Sequence, residues 1–132
     1  MKKQFIALIT IVAVGFFFMN FTIQTEENSS LGKKTNFEIP ENIQGIIDNS
    51  CYGCHHTDSK NEKGKKKLDF DKLADLKTYK LVGKLADISE TVVEGDMPPE
   101  KAVKKYPELK LSDEDKATLG DWAKSTAEEL SK

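Results

Sequence analysis

The sequence predicts a small all-α domain that follows an apolar N-terminal helix, and three observations lead to this prediction. Ser112 and the three acidic residues after it form a strong helix start, because a hydroxyl caps free amides and the acids face the positive end of the dipole. No stretch shows strands that alternate with helices. Apolar residues recur at helical spacing, most clearly at Leu81, Leu85, Ile88 and Val92.

The N-terminal segment has the composition of an export signal or of a membrane anchor. Two lysines precede residues 5–23, which are apolar except for Thr10, Asn20 and Thr22. As a helix this stretch would span about 28 Å, close to the thickness of a bilayer core. A small-residue cleavage site is missing, since residues 16–21 are bulky throughout. A cleaved signal and an uncleaved anchor both stay open, and both predict a periplasmic or other extracytoplasmic location, the anchor at the inner membrane.

The 132 residues divide into three predicted segments. Residues 1–23 are the signal or anchor, residues 24–36 are a polar flexible linker, and residues 37–132 are the folded domain. Beyond Lys2 and Lys3, 18 lysines stand against 22 acidic residues, which leaves a net charge of −4, and arginine is absent. Since nucleic-acid-binding domains usually carry a strongly basic face, we expect no nucleic-acid partner.

The most informative stretch is residues 51–55, CYGCH, which form a C-x-x-C-H motif. Two thiols three positions apart lie on adjacent corners of one helical turn, so both can reach the two vinyl groups on one edge of a haem. Each thiol would add across a vinyl group to give a thioether. His55 lies four residues after Cys51 on the same face, where its imidazole can bind the iron. The motif predicts one haem c, attached through Cys51 and Cys54.

Other interpretations of the two cysteines have less support. A thioredoxin-type redox pair would follow a strand in a βαβ pattern, which the sequence lacks. A zinc site usually needs two separated ligand pairs, but every Cys and His of the chain lies within residues 51–56. A disulfide between Cys51 and Cys54 would close a very small loop and stabilise little. His56 cannot share the iron with His55, because successive helical residues point about 100° apart, and we expect it at the surface.

A second informative stretch is residues 95–99, GDMPP. We expect Gly95 to end the preceding helix and the two prolines to hold an extended loop. Met97 is the only methionine beyond the leader, and such a loop can present its thioether sulfur to the open face of the iron. Taken alone, Met97 would be an ordinary apolar loop residue. After a C-x-x-C-H motif we assign it as the second axial ligand, with His55 as the first.

The remaining stretches carry weaker predictions. Residues 40–50 have isoleucines at helical spacing and predict a short helix that runs into the motif. Residues 57–67 are lysine-rich, and we interpret them as a solvated loop, with a docking patch for an acidic redox partner as the alternative. We expect Trp122, on the apolar face of the last helix, to pack in the core.

In this order, the motifs resemble those of the bacterial haem-binding domain family, a group of small class I-like c-type cytochromes with one C-x-x-C-H per domain. The resemblance extends over roughly residues 39–130 and implies a helical domain wrapped around one haem. Two features depart from the family: a lysine-rich segment replaces an aromatic Tyr-Pro-Trp-Tyr segment, and Tyr106 stands where a histidine often precedes the proline. The matching stretches are residues 49–55, 68–70, 94–99, 106–108 and 111–114.

These observations predict one-electron transfer outside the cytoplasm, between redox partner proteins that the sequence does not identify, by an iron bound to His55 and Met97. The alternative is a haem-based sensor in which a small ligand displaces Met97. A peroxidase-like enzyme is less well supported, because the sequence offers no clear distal histidine or arginine. We therefore expect no enzymatic activity. The sequence carries no signal for an oligomeric state.

Overall fold

The computed structural model describes residues 35–132, and the regular secondary structure of this part of the chain consists of helices, without strands. The all-α prediction is thus confirmed for these residues. The predicted apolar helix at residues 5–23 and nearly all of the linker lie outside them. The α-helices are α1 (Glu41–Ser50), α2 (Glu62–Lys67), α3 (Thr78–Glu94), α4 (Glu100–Lys105) and α5 (Asp113–Leu130), and the 3-10 helices span Phe70–Asp75 and Pro107–Leu109.

The predicted helix boundaries agree with the structure where a capping signal was present. Ser112 accepts a hydrogen bond from the backbone amide of Asp115 at 3.0 Å and so caps α5. Gly95 ends α3 with φ of 82°, in the left-handed region that glycine adopts without strain. α1 begins directly after Pro40 and runs into the motif, as the isoleucine spacing predicted. None of the helices in residues 35–132 has the length and apolarity needed to cross a membrane.

Two short helices were not predicted. α2 lies in the segment that we interpreted as a solvated loop, where Asn61 accepts a hydrogen bond from the Gly64 amide at 2.9 Å. Glu62 lies in its first turn and three lysines lie in its last turn, so the charges complement the helix dipole. α4 follows Pro99 and contains an ion pair of 2.7 Å between Lys104 and Glu100. A side-chain cap and a charge pair favour α2, and a charge pair favours α4, although neither helix has an apolar stripe.

The core is built mainly on the packing of α3 against α5. All four residues of the predicted α3 stripe are buried, and Leu119 and Ala123 of α5 are fully buried. The two helices approach closely at Gly120, where a Cβ atom would lie 2.8 Å from a methyl group of Val93. Ser89 adds a hydrogen bond to the Gly120 carbonyl at 2.9 Å. α1 completes the core through two buried residues, Ile43 and Ile47.

Trp122 packs against this core but is only partly buried. Its ring lies 6.2 Å from that of Phe37, between ring centroids, at the edge of the domain. We expected Trp122 to pack inside the core, but it lies at the periphery of the core.

Candidate functional site

A cavity of about 430 Å³ opens between the motif, α3 and the loop that follows α3. Cys51, Cys54, His55 and Met97 all line it. The fold thus brings together four residues that lie up to 46 positions apart in the sequence. A volume of this size is within the usual range of cofactor pockets. Most of the remaining wall is apolar, including Leu68, Phe70, Ile88, Val92, Pro98 and Leu119.

The motif forms a tight turn that continues from α1. The Cys51 amide donates to the Ile47 carbonyl at 2.8 Å, as in a helix. The amides of Cys54 and His55 then both donate to the Cys51 carbonyl, at 3.1 and 3.2 Å. This geometry is close to the predicted helical turn. It places both thiols and the imidazole at the same cavity.

The imidazole of His55 is held by a backbone carbonyl. Its Nδ1 lies 3.1 Å from the carbonyl oxygen of Leu68. Because a carbonyl can only accept, Nδ1 carries the proton and the lone pair of Nε2 is available to a metal. Phe70 contacts the imidazole edge-on, with ring centroids 6.4 Å apart, and its amide donates to the His55 carbonyl at 3.0 Å. The residues after the motif therefore set both the tautomer and the orientation of the ring.

Two aspartates that follow α2 hold the loop of the motif in place through hydrogen bonds. Asp71 accepts hydrogen bonds from the Tyr52 hydroxyl at 2.7 Å and from the Thr57 amide at 2.9 Å. Asp69 accepts from the Thr57 hydroxyl at 2.9 Å and pairs with Lys72 at 3.0 Å. These bonds hold Tyr52 before His55 and Thr57 after it. The loop that carries His55 is therefore anchored at both ends.

The same network shifts the pKa of its members. The Thr57 amide and the Tyr52 hydroxyl lower the pKa of Asp71. Burial by itself would raise the pKa of Asp69, but the bonds from Lys72 and Thr57 outweigh it and the net shift is downward. The bond to Asp71 raises the pKa of Tyr52, since the phenol would lose its acceptor on ionising. Both carboxylates are stabilised in the charged form.

The cysteines differ from a redox-active pair. Burial, with a smaller effect of Cys54, raises the pKa of Cys51 to about 11. A reactive thiol of the thioredoxin type has its pKa lowered instead. Both thiols are free and half-buried, and Cys51 stays protonated at neutral pH. Within residues 35–132 there is also no cluster of three or more His, Cys, Asp or Glu side chains that could hold a metal ion.

α2 packs directly on the motif through Gly64. A Cβ atom at this position would lie 2.6 Å from the carbonyl oxygen of Cys54. Ser59, buried just before α2, donates to the Gly53 carbonyl at 3.0 Å. The lysine-rich segment therefore supports the site as well as contacting solvent. A glycine within a run of lysines was the only sequence signal for this role.

Met97 is positioned by the end of α3. The Thr91 carbonyl accepts from the amides of Asp96 and Met97, at 2.9 and 3.2 Å, as the chain turns at Gly95. Met97 is half-buried and reaches the cavity. His56 lies outside the cavity, half-buried and stacked on Tyr52 with ring centroids 4.9 Å apart. It is thus less exposed than we expected.

Charged residues also line the cavity, and sequence analysis did not single them out. They are Lys67 at the end of α2 and Lys84, Asp87 and Glu90 on α3. Because their spacing is that of an ordinary solvated helix face, nothing in the sequence distinguished them.

The residues of the cavity fit a haem. Two thiols and an imidazole with an available Nε2 are the groups that attach and bind a c-type haem, and a thioether sulfur can serve as the second ligand of its iron. The apolar wall suits the porphyrin face, and the cavity size is compatible with a cofactor.

Comparison with known proteins supports a haem cofactor. The model of a family described as a haem-binding domain matches residues 57–125, just over half of the chain. The match begins two residues after His55, so the motif directly precedes it. No curated protein and no solved structure matches the chain. The chain belongs to the haem-binding domain family.

Proposed function

We propose that this haem-binding domain is a monohaem c-type cytochrome domain that transfers one electron at a time. The observation that carries the proposal is that Cys51, Cys54, His55 and Met97 line one and the same cavity. In this proposal the thiols form thioethers with the haem vinyl groups. His55 and Met97 would bind the iron.

The bound haem would supply one-electron chemistry, its iron alternating between the ferric and ferrous states. The residues of the chain hold the ligands in place. The Leu68 carbonyl directs the His55 ring, and the Thr91 carbonyl holds the backbone of Met97. The apolar wall excludes water and, together with a thioether ligand, favours the ferrous state and a higher reduction potential. Ligands retained in both states keep the structural change on electron transfer small.

We propose no enzymatic activity for this domain. A peroxidase needs an open iron position with polar groups that act on the bound peroxide. Of the side chains that line the cavity in residues 35–132, His55 is the only imidazole, and we assign it to the iron. A sensor in which a small ligand displaces Met97 is the alternative that the experiment below tests.

We also propose that the domain operates outside the cytoplasm. Residues 1–23 would act as a cleaved signal or as an inner-membrane anchor, with residues 24–36 as the linker. α2 supports a redox partner with an acidic surface, because its lysines lie beside the motif and Lys67 lines the cavity. A partner bound there would be close to the haem.

Optical spectroscopy of the purified protein, oxidised and reduced, tests the proposal. We expect a six-coordinate, low-spin iron in both states and a weak sulfur-to-iron charge-transfer band at the red end of the oxidised spectrum. Carbon monoxide should bind slowly or not at all. Met97→Leu keeps the side-chain volume but removes the sulfur, so it should abolish the band, lower the potential and admit carbon monoxide.

The matched control is Leu76→Met, which exchanges the same two residue types at a partly buried position outside the cavity and should leave the spectrum unchanged. A wild-type protein that is already high-spin and binds carbon monoxide readily would favour the sensor. Haem that is lost on acid-acetone extraction would contradict covalent attachment.

A further inference from the structure

Two lysines line the cavity at the junction of α2 and α3. Lys67 and Lys84 are the lysines that line it within residues 35–132. The Nζ of Lys84 donates to the Lys67 carbonyl at 2.7 Å. Lys84 is half-buried, and this bond holds its ammonium group in one place. A cation is therefore fixed at the edge of a largely apolar cavity.

No carboxylate of the described residues neutralises this cation. The ion pairs within residues 35–132 lie elsewhere, and none involves Lys84. Asp87 and Glu90 lie further along α3 and also line the cavity, but both are exposed and neither forms an ion pair with Lys84. An ammonium group at the edge of an apolar wall can form a charge-assisted hydrogen bond with an anion that binds next to it.

A haem supplies such an anion. Its two vinyl groups lie on one edge and its two propionate carboxylates on the opposite edge. If Cys51 and Cys54 take the vinyl edge, the propionates must lie along another part of the rim. We propose that Lys84 binds a haem propionate, with Lys67 as a second cation at the same place, and that this contact orients the haem. The proposal rests on the haem-binding function and on the assigned cysteine attachment.

The test uses a chemical cycle on the full chain, produced without haem. The chain is titrated with haemin and with haemin dimethyl ester, which lacks the negative charges. Wild type should bind haemin about tenfold more tightly than the ester, as expected for a charge-assisted hydrogen bond. Lys84→Met should lose most of this preference by weakening haemin binding, and it should leave ester binding nearly unchanged. Because the ester already lacks the anion, the cycle isolates the pair from general effects on folding.

Lys80→Met is the matched control. It removes the same charge from the same helix at an exposed position that does not line the cavity, so it should keep the wild-type preference. Equal losses for haemin and its ester in Lys84→Met would overturn the proposal, as would an undiminished preference for haemin.

A second measurement on the mature protein gives an independent result. Removing a cation near the iron favours the ferric state, so Lys84→Met should lower the reduction potential and Lys80→Met should not. The spectrum of Lys84→Met should stay low-spin. An unchanged potential, or a change of iron coordination, would contradict binding to a propionate.

These outcomes are separate from the test of electron transfer. A protein with covalent haem and stable His/Met ligation, but without any preference for the free acid, would refute only the role of Lys84. A chain that prefers haemin but never attaches it covalently would refute only the c-type assignment.

Discussion

The two walls of the cavity are built in different ways. The histidine wall consists of residues 51–55, α2 and the 3-10 helix Phe70–Asp75. The methionine wall consists of the last turn of α3 and residues 95–99. Many side-chain bonds hold the histidine wall, including those of Asp71 to Tyr52 and Thr57. The methionine wall depends on the backbone cap at Thr91 and on apolar packing.

This difference bears on the proposed chemistry. The orientation of His55 is determined by several independent contacts, so no single loss should release it. Met97 is held through its own backbone, and fewer contacts resist its displacement. If either of the two proposed iron ligands can leave, we expect this to occur at the methionine wall. For this reason, experiments on Met97 can distinguish the electron-transfer hypothesis from the sensor hypothesis.

The largest expected effect comes from the two cysteines. Cys51→Ala combined with Cys54→Ala should abolish covalent haem completely, because no other thiol exists in the chain. The measurement is haem-dependent peroxidase staining after denaturing gel electrophoresis. Met97→Leu, on the methionine wall, should keep the stained band at full intensity. Equal loss of the band in both variants would show that the two walls are equally necessary for attachment.

Gly64 tests the tight packing of the histidine wall. Gly64→Ala should destabilise the folded protein by about 1–3 kcal/mol, since its Cβ would lie 2.6 Å from the Cys54 carbonyl. The measurement is denaturant-induced unfolding. Gly83→Ala on α3 is the control, because no atom lies within 4 Å of its Cβ. That change should be neutral or should stabilise by about 0.5–1 kcal/mol.

The contrast between the two glycines is the informative result. If Gly64→Ala were as stable as Gly83→Ala, α2 would not pack on the motif. The lysine-rich segment would then be the solvated loop that its composition suggests.

The aspartate network predicts a dependence on acid. The pKa values of Asp69 and Asp71 are lowered in the folded protein, so their stabilisation is fully present above the unfolded pKa of about 3.9. It is lost as the pH falls through the folded pKa values. Asp69→Asn with Asp71→Asn should therefore lower stability at pH 7 and flatten its decline below about pH 4.

The measurement is the unfolding midpoint as a function of pH. Asp121→Asn on α5, an exposed residue outside the network, is the control and should follow the wild-type curve. A double variant with the wild-type slope below pH 4 would mean that the network does not stabilise the histidine wall.

The smallest effect concerns the charge of α2. Lys63→Gln with Lys66→Gln should slow oxidation of the reduced protein by the anion ferricyanide about twofold at low ionic strength. Oxidation by a cationic cobalt complex should become slightly faster. Both residues are exposed. Lys124→Gln with Lys132→Gln removes the same charge at two exposed positions, one within α5 and one just beyond its end. Equal effects of the two double variants would indicate that the rate depends on the net charge of the protein and not on a docking patch on α2.

Much of the site could be predicted from the sequence. Because covalent attachment of a haem needs a fixed spacing of two cysteines and a histidine, the spacing of Cys51, Cys54 and His55 predicts their role. Met97 followed because it is the only methionine beyond the leader. The boundaries of α3 and α5 were predictable because Gly95 and Ser112 are local capping signals, and the stripe from Leu81 to Val92 has helical period.

The tertiary structure alone decided how these parts support one another. The hydrogen bond of the His55 imidazole to the Leu68 carbonyl depends on packing between segments that are separate in sequence. The close approach of Gly64 to the Cys54 carbonyl depends on the same packing. The same holds for Lys84, whose spacing is that of any solvated helix but whose ammonium lies at the cavity rim. The candidate ligands and the helix caps can be predicted from residue type and spacing. Contacts across the fold form only when the buried faces of α1, α3 and α5 pack together.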